Sequence, residues 1–370
     1  MQPVRVGIIG VGNISGIYLK NLGEFRSTEI VAVADIDLDR AGAVAQRHGI
    51  PQVLTPVALI NSPDVEFVLN LTIPNAHGSV ALSAVRAGKH VYNEKPLTIE
   101  IKDAKLLLKE AKRMGVLVGC APDTFMGGGI QTCRALIDSG AIGEPVAANA
   151  FMMGRGHESW HPSPEFYYQA GGGPMLDMGP YYITALINLI GGIRRVTGST
   201  RITFPTRTIT SQPKAGTVIQ VETPTHLCGT MDFANGAIGQ ITTSFDVYSS
   251  PLPNIVVYGS QGTLIVPDPN GFGGQPMIKQ AADHEFRPVA ITHGYTEGER
   301  GIGVVDMCYA IRNGGSHRAS GALAFHALEV MHAFTTASTT ERHVHLTSMV
   351  ERPQAMDPDT YADEREPVAV

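Results

Sequence analysis

A chain of 370 residues, 43% hydrophobic and 17% charged, can bury more than one core, and its length points to two domains. Its net charge of −6 offers no basic face to a nucleic acid, and no apolar run reaches the length of a membrane span, so neither kind of partner is expected. The start, MQPVRVGIIG, has no signal-peptide pattern, and Cys120, Cys133, Cys228 and Cys308 form no CxxC pair, which suits reduced thiols in a cytoplasmic protein.

In chain order, short β-branched strands are predicted over 4–9, 30–34, 66–71, 90–92 and 116–120. Apolar residues at helical spacing predict helices over 11–22, 39–47, 76–87 and 101–114. Gly49, Gly88 and Gly115 stand where three of these helices should end. Strand and helix in strict alternation are βαβ units. The expected fold of this part is α/β, a doubly wound parallel Rossmann sheet with helices on both faces.

The first strand runs into Gly7-Ile8-Ile9-Gly10-Val11-Gly12-Asn13-Ile14-Ser15-Gly16. Gly10 permits the tight turn out of the strand, and Gly12 lets a pyrophosphate approach the backbone. The helix behind Asn13 and Ile14 offers free N–H groups to that anion. Ser15, at the third position of the pattern, is small enough for close helix–sheet packing. The second strand ends at Asp35 and Ile36, where an acid binds the adenosine ribose hydroxyls and repels a 2′-phosphate. NAD is the expected cofactor, with NADP left open because Arg40 could bind a phosphate. Asp37 or Asp39 can cap the next helix.

Two later strand ends lie on the edge of such a sheet where ligands bind. One carries Thr72, Pro74, Asn75 and His77, the other Glu94 and Lys95, and all are candidate cofactor contacts. A lysine directly after a buried strand can also point at the nicotinamide, where it would hold a substrate hydroxyl or share in proton transfer.

From about Glu144 the pattern changes to strands over 145–153, 217–234, 237–248, 254–259 and 262–266 without helices between them, which predicts a mainly antiparallel sheet. Asn235-Gly236 is a hairpin signal. The segment from Gly171 to Tyr182 opens a helix that runs to Ile190, and on it Asp177 and Tyr181 share one face. Ahead of it, His157, the single tryptophan Trp160 and His161 precede Phe166-Tyr167-Tyr168. Aromatic surface packs on sugar rings while His and Glu bond hydroxyls, so this segment suits a substrate lid, with a plain surface loop as the alternative. No HExxH and no nearby cysteine accompany it, so no metal is expected. An irregular loop over 267–274, His293 on a late loop as a structural residue that could also reach the site, and a packing helix over 322–337 follow.

The N-terminal glycine pattern, the Pro-Asn-x-x-His segment, Glu94-Lys95-Pro96 and the later Gly-Gly-Gly-x-x-x-Asp-x-Gly together resemble the Gfo/Idh/MocA family, the glucose–fructose oxidoreductases, inositol dehydrogenases and their relatives. The resemblance implies a Rossmann domain over 1–122 and an α/β domain over 123–350, followed by a tail over 351–370. It also implies that the second domain's large open sheet forms the substrate wall and a homodimer or homotetramer interface. By the same resemblance Lys95 is the active-site lysine, and Asp123 follows the last Rossmann strand where relatives place substrate contacts. The family pattern Asp-x-Gly-x-His becomes Asp177-Met178-Gly179-Pro180-Tyr181, so tyrosine stands where histidine is usual. The expected catalytic set is Lys95, Tyr181 as acid/base and Asp177 orienting the substrate, with a histidine of the 157–161 segment as the other acid/base candidate. Asp123, His157, Trp160, His161 and Tyr167 complete the expected substrate contacts. The implied activity is hydride transfer between NAD(P) and a secondary carbinol or ketone of a sugar, inositol or related polyol. A redox-assisted NAD-dependent glycoside hydrolase and a non-catalytic dinucleotide sensor are the alternatives.

Overall fold

The computed structural model describes residues 1–364, so residues 365–370 of the expected tail lie outside the described residues. In chain order the first elements are β1 (Val4–Ile9), α1 (Ser15–Leu22), β2 (Thr28–Ala34), α2 (Leu38–His48), β3 (Gln52–Leu54) and α3 (Pro56–Asn61). They continue with β4 (Phe67–Asn70), α4 (Pro74–Arg86), β5 (His90–Asn93), α5 (Ile101–Met114) and β6 (Val118–Cys120). The strands form one parallel sheet in the order β3-β2-β1-β4-β5-β6. The strand order reverses between β1 and β4, the place where such sheets hold ligands.

This architecture is the expected one, and the departures have local causes. α1 begins at Ser15 rather than at residue 11 because residues 11–14 make the turn, closed by the Ser15 N–H donating to the Gly12 carbonyl (3.1 Å). β3 and α3 were not expected, because three strand residues and six helical ones are too short to show a period. Thr55 nonetheless caps α3 by accepting from Ala58 N–H (3.3 Å), with Pro56 at the first helical position.

The chain continues with α6 (Gly128–Asp138), β7 (Pro145–Met153), α7 (Gly173–Leu189), β8 (Ile193–Arg201), β9 (Thr206–Thr208), β10 (Val218–Gln220), β11 (His226–Phe233) and β12 (Ile238–Ser244). Then come β13 (Ile255–Gly259), β14 (Gly262–Val266), β15 (Met277–Gln280), β16 (Arg287–Pro288), α8 (Ile302–Asn313), α9 (Gly321–Thr340) and β17 (Val344–His345). Nine of these strands form a sheet in the order β16-β15-β14-β13-β7-β12-β11-β8-β17, antiparallel throughout except for the β7–β12 pair. Asn235 and Gly236 make the β11–β12 turn, with Asn235 Oδ1 accepting from Ala237 N–H (3.0 Å). The single strand expected over 217–234 is instead two, β10 and β11. Pro224 between them lacks the N–H a continuous strand needs, and β10 pairs with β9 in a separate hairpin. Under that hairpin Tyr168, Ile209, Ile219, Val221 and Phe245 form a small satellite core.

Two compact units emerge, and neither is continuous in sequence. The first takes Met1–Gly127, Gly294–Phe325 and the described residues from Met356, and the second takes Gly128–His293 and His326–Ala355. Consecutive boundaries at 122 and 350 therefore miss a return: α8 and its flanks pack with the first unit, as do the described residues from Met356. No helix among the described residues is long and apolar enough to cross a membrane.

Candidate active site

In the first unit the β1–α1 turn has the shape a pyrophosphate needs. Gly10 adopts φ 93°, and a Cβ there would lie 2.7 Å from the Leu71 carbonyl, so only glycine fits. A Cβ at Gly12 would meet nothing within 4 Å; that side of the turn is open. Gly12 and Asn13 are exposed and Ile14 is half-buried ahead of the α1 N-terminus. Asp35, 6% exposed, accepts from Val11 N–H (2.9 Å) through Oδ2, and from Asp37 N–H (3.0 Å) and Arg40 Nη2 (2.6 Å) through Oδ1. Burial pushes its carboxyl up, but these hydrogen bonds and the Arg40 charge outweigh it and hold the pKa below the ordinary value. Ile36 is 93% exposed just beyond β2, an apolar surface with nothing over it. The open glycine turn, the α1 N-terminus and an ionised Asp35 fit an NAD: pyrophosphate at the turn, ribose at Asp35.

The ends of β4 and β5 are locked by residues that the sequence did not single out. Asn70 and Asn93, both fully buried, join through Asn70 Nδ2–H donating to Asn93 Oδ1 (3.0 Å). Asn70 Oδ1 accepts from the Thr72 hydroxyl (2.7 Å), and Asn93 Nδ2 donates to the Leu97 carbonyl (2.9 Å). Their only sequence signal was polarity inside otherwise apolar strands. Thr72 and Pro74 are half-buried and Asn75 is exposed.

Three expected contacts need correction. His77 is 1% exposed, its Nδ1 2.7 Å from the Pro96 carbonyl and its Nε2 2.9 Å from that of Thr72, so it staples the two loops instead of facing a cofactor. Two carbonyl acceptors favour a charged ring, but burial dominates and lowers its pKa. Glu94, 8% exposed, is taken up by the Tyr18 hydroxyl (2.8 Å) and by Lys95 N–H (2.8 Å), and it therefore shapes the turn that carries Lys95. Asp123 is fully buried and accepts from Gly301 N–H (2.8 Å) and Gly303 N–H (3.0 Å) at the start of α8; burial raises its pKa despite those donors. It anchors a helix that returns from far along the chain, rather than lying open as the resemblance implied for a substrate contact. Lys95 itself is half-buried at the end of β5.

In the second unit, α7 carries Asp177 half-buried and Tyr181, 5% exposed, one turn later. His157 Nε2 lies 3.6 Å from Asp177 Oδ2. The His157 ring stacks on Tyr167 (3.6 Å between centroids, 7° between planes), with Phe245 edge-on at 4.7 Å and Trp160 tilted at 5.2 Å. His161 stands edge-on to Tyr167 at 5.4 Å, and Trp160 is 63% exposed.

The segment bearing these rings is pinned from below. Arg207, 4% exposed, donates to Glu158 Oε1 (2.7 Å), pairs with Asp246 and reaches the Phe245 carbonyl (3.0 Å). The Tyr168 hydroxyl donates to Glu158, and Glu158's own carbonyl accepts from Thr210 N–H (2.8 Å). Nothing in the sequence around Arg207 or Asp246 marked them, because their partners lie about 40 to 50 residues away along the chain.

Comparison with known proteins identifies the family. The model of the oxidoreductase family with an NAD-binding Rossmann fold matches residues 4–121, and that of the GFO/IDH/MocA C-terminal domain matches residues 130–265. The chain is 25% identical over 263 residues to the myo-inositol 2-dehydrogenase of Thermotoga maritima, covering 70% of this chain and 74% of that protein. It is 33% identical over 181 residues to the 1,5-anhydro-D-fructose reductase of Ensifer adhaerens, covering 47% of this chain and 53% of the relative. The structure of levoglucosan dehydrogenase in complex with NADH and levoglucosan superposes with a TM-score of 0.82 at 21% identity, over 94% of this chain and 100% of that one, a likeness of fold. The paired family matches, on a six-stranded Rossmann sheet with an open glycine turn, make this chain a member of the Gfo/Idh/MocA family of NAD-binding oxidoreductases.

Proposed function

We propose that the chain interconverts a secondary carbinol and a ketone on a sugar, inositol or related polyol, with Lys95, Asp177 and Tyr181 as the residues that meet the substrate. The observation that carries this reading is α7, where Asp177 stands one helical turn before Tyr181 and beside the stacked rings of His157 and Tyr167. NAD held at the Gly10–Ile14 turn supplies the hydride acceptor. The Lys95 ammonium holds the reacting oxygen and stabilises the negative charge that develops there. Asp177 accepts a hydrogen bond from a neighbouring hydroxyl and so orients the ring. Tyr181 takes the carbinol proton as the phenolate on oxidation and returns it as the phenol on reduction. Trp160, His161 and Tyr167 present aromatic surface to the apolar face of the sugar ring. The relatives' names, an inositol dehydrogenase and an anhydrofructose reductase, support the polyol class.

In the same reading the first unit binds the cofactor and the second binds the substrate, in a cytoplasmic protein. The nine-stranded sheet also joins subunits into a homodimer or homotetramer, for which light scattering at micromolar concentration is the check.

The test is the absorbance of reduced nicotinamide with NAD or NADP and myo-inositol, D-xylose, levoglucosan or 1,5-anhydro-D-fructose. Substrate-dependent oxidation or reduction of the cofactor is the expected result. Release of a sugar from a glycoside without net reduction would point to redox-assisted hydrolysis, and tight dinucleotide binding with no turnover would point to a sensor.

A further inference from the structure

The 157–168 segment supplies a substituent that α7 lacks. We infer that His157 is a positioning residue: its imidazole holds the Asp177 carboxylate by one oxygen, Oδ2, and thereby aims the other at the substrate. The inference rests on the proposed contact between Asp177 and the substrate.

Four observations converge on it. The Nε2–Oδ2 separation of 3.6 Å is within ion-pair reach, and the two side chains are only 13% and 15% exposed, so the attraction is less screened than on an open surface. The imidazole's other nitrogen, Nδ1, is buried, which leaves Nε2 as the nitrogen on the Asp177 side. The ring plane is set by the parallel stack on Tyr167 and the edge of Phe245. The backbone is set as well: His157 N–H donates to the Tyr168 hydroxyl (3.2 Å), which is itself bound to Glu158 and through it to Arg207.

Gly156 completes the arrangement. It adopts φ 94°, and a Cβ there would lie 2.1 Å from the Tyr168 hydroxyl, so the chain can bring His157 to this place only with glycine before it. A carboxylate on a helix has several rotamers of similar energy. A fixed imidazole nitrogen against one oxygen selects one of them, and the substrate then pays no further ordering cost at that residue. His157 therefore acts through Asp177 and does not itself touch the substrate.

Two variants separate this role from simple packing. His157→Phe keeps the ring stacked on Tyr167 and loses the nitrogen, whereas His157→Gln loses the ring and keeps an N–H at similar reach. His157→Phe is expected to raise KM for the polyol of the panel with the highest kcat/KM about tenfold, with kcat changed far less, and His157→Gln to recover most of that loss. Combined with Asp177→Asn, His157→Phe should add nothing to the single Asp177 variant. Additive losses, or a His157→Phe enzyme with normal KM, would overturn the inference.

Crystal structures of the two His157 variants read the same point without turnover. The Asp177 carboxylate is expected to leave its position in His157→Phe and keep it in His157→Gln; an unmoved carboxylate in both refutes the clamp. If Asp177→Asn alone leaves KM unchanged, it is the substrate role of Asp177 that fails.

Discussion

At the scale of single residues, Tyr181 and Arg40 carry the sharpest expectations. Removing the Tyr181 hydroxyl as Tyr181→Phe keeps the buried ring and deletes the proton path, so kcat should fall about 10²–10⁴-fold while binding of NADH, read by fluorescence titration, stays unchanged. Retained turnover would move the acid/base role to another group. Arg40 is tied to Asp35 by a 2.6 Å hydrogen bond while 47% of its side chain remains exposed. It can therefore turn from the carboxylate to a 2′-phosphate at the cost of one partly screened ion pair, worth about 1 kcal/mol or less. Arg40→Ala should lower kcat/KM with NADP several-fold and leave that with NAD within about twofold. An equal loss with both cofactors would mean that Arg40 serves only to shape the turn. Asp35, with its pKa held down, stays ionised through the neutral range, so NAD affinity should fall only as acid pH reaches that lowered value.

At the scale of elements, α7 and the 157–168 segment are built to different rules. Pro180 inside α7 cannot donate to the carbonyl one turn back, and Thr184 Oγ1 donates to the Pro180 carbonyl (2.7 Å) in the following turn. The interruption comes between Asp177 and Tyr181, the two side chains expected to face the substrate. The 157–168 segment has no regular structure beyond the 3-10 turn Glu165–Tyr167, and its order comes from buried charge. Arg207→Ala would leave Glu158 and Asp246 buried without their cation, a loss of about 3–5 kcal/mol. A melting temperature lowered by several degrees, together with a raised KM, is the expected reading, and an unchanged melting temperature would show that the segment does not depend on this pair. The segment is fastened at Glu158, His161 and Tyr168.

At the scale of the molecule, the first unit is closed by α8, which the chain reaches only after building the second. Arg312 on that helix grips both carboxylate oxygens of Glu66 (3.0 and 2.8 Å) and the carbonyls of Gln2 and Pro3 (3.1 and 2.7 Å). The Arg312 hydrogen bond leads the causes that lower Glu66 to about 2, against an ordinary 4.5. A depressed carboxylate pKa adds stability that is complete above the unfolded value and is lost as pH falls through the folded one. Glu66→Gln should therefore destabilise the protein at neutral pH, and the gap to the wild type should close between about pH 4.5 and pH 2 in acid-unfolding curves. A gap that persists at pH 2 would assign the effect to packing.

What the sequence determined by itself was whatever local chemistry decides. The βαβ alternation, the glycine turn that needs φ 93° at Gly10, the acid at the end of β2, the Asn235-Gly236 hairpin and the place of Lys95 after β5 all rest on spacing and backbone preference within about two dozen residues. The tertiary structure decided the rest. It turned His77 and Asp123 from candidate contacts into buried fasteners, paired Asn70 with Asn93, and brought Arg207 and Asp246 beneath Glu158. It also set His157 against Asp177, 20 residues ahead on another element, and returned α8 to the first unit. A polar side chain reads the same in sequence whether it faces a ligand or a carbonyl. Only the chain folded around it determines which of the two satisfies it, because most buried donors and acceptors find a partner and that partner can come from anywhere in the chain.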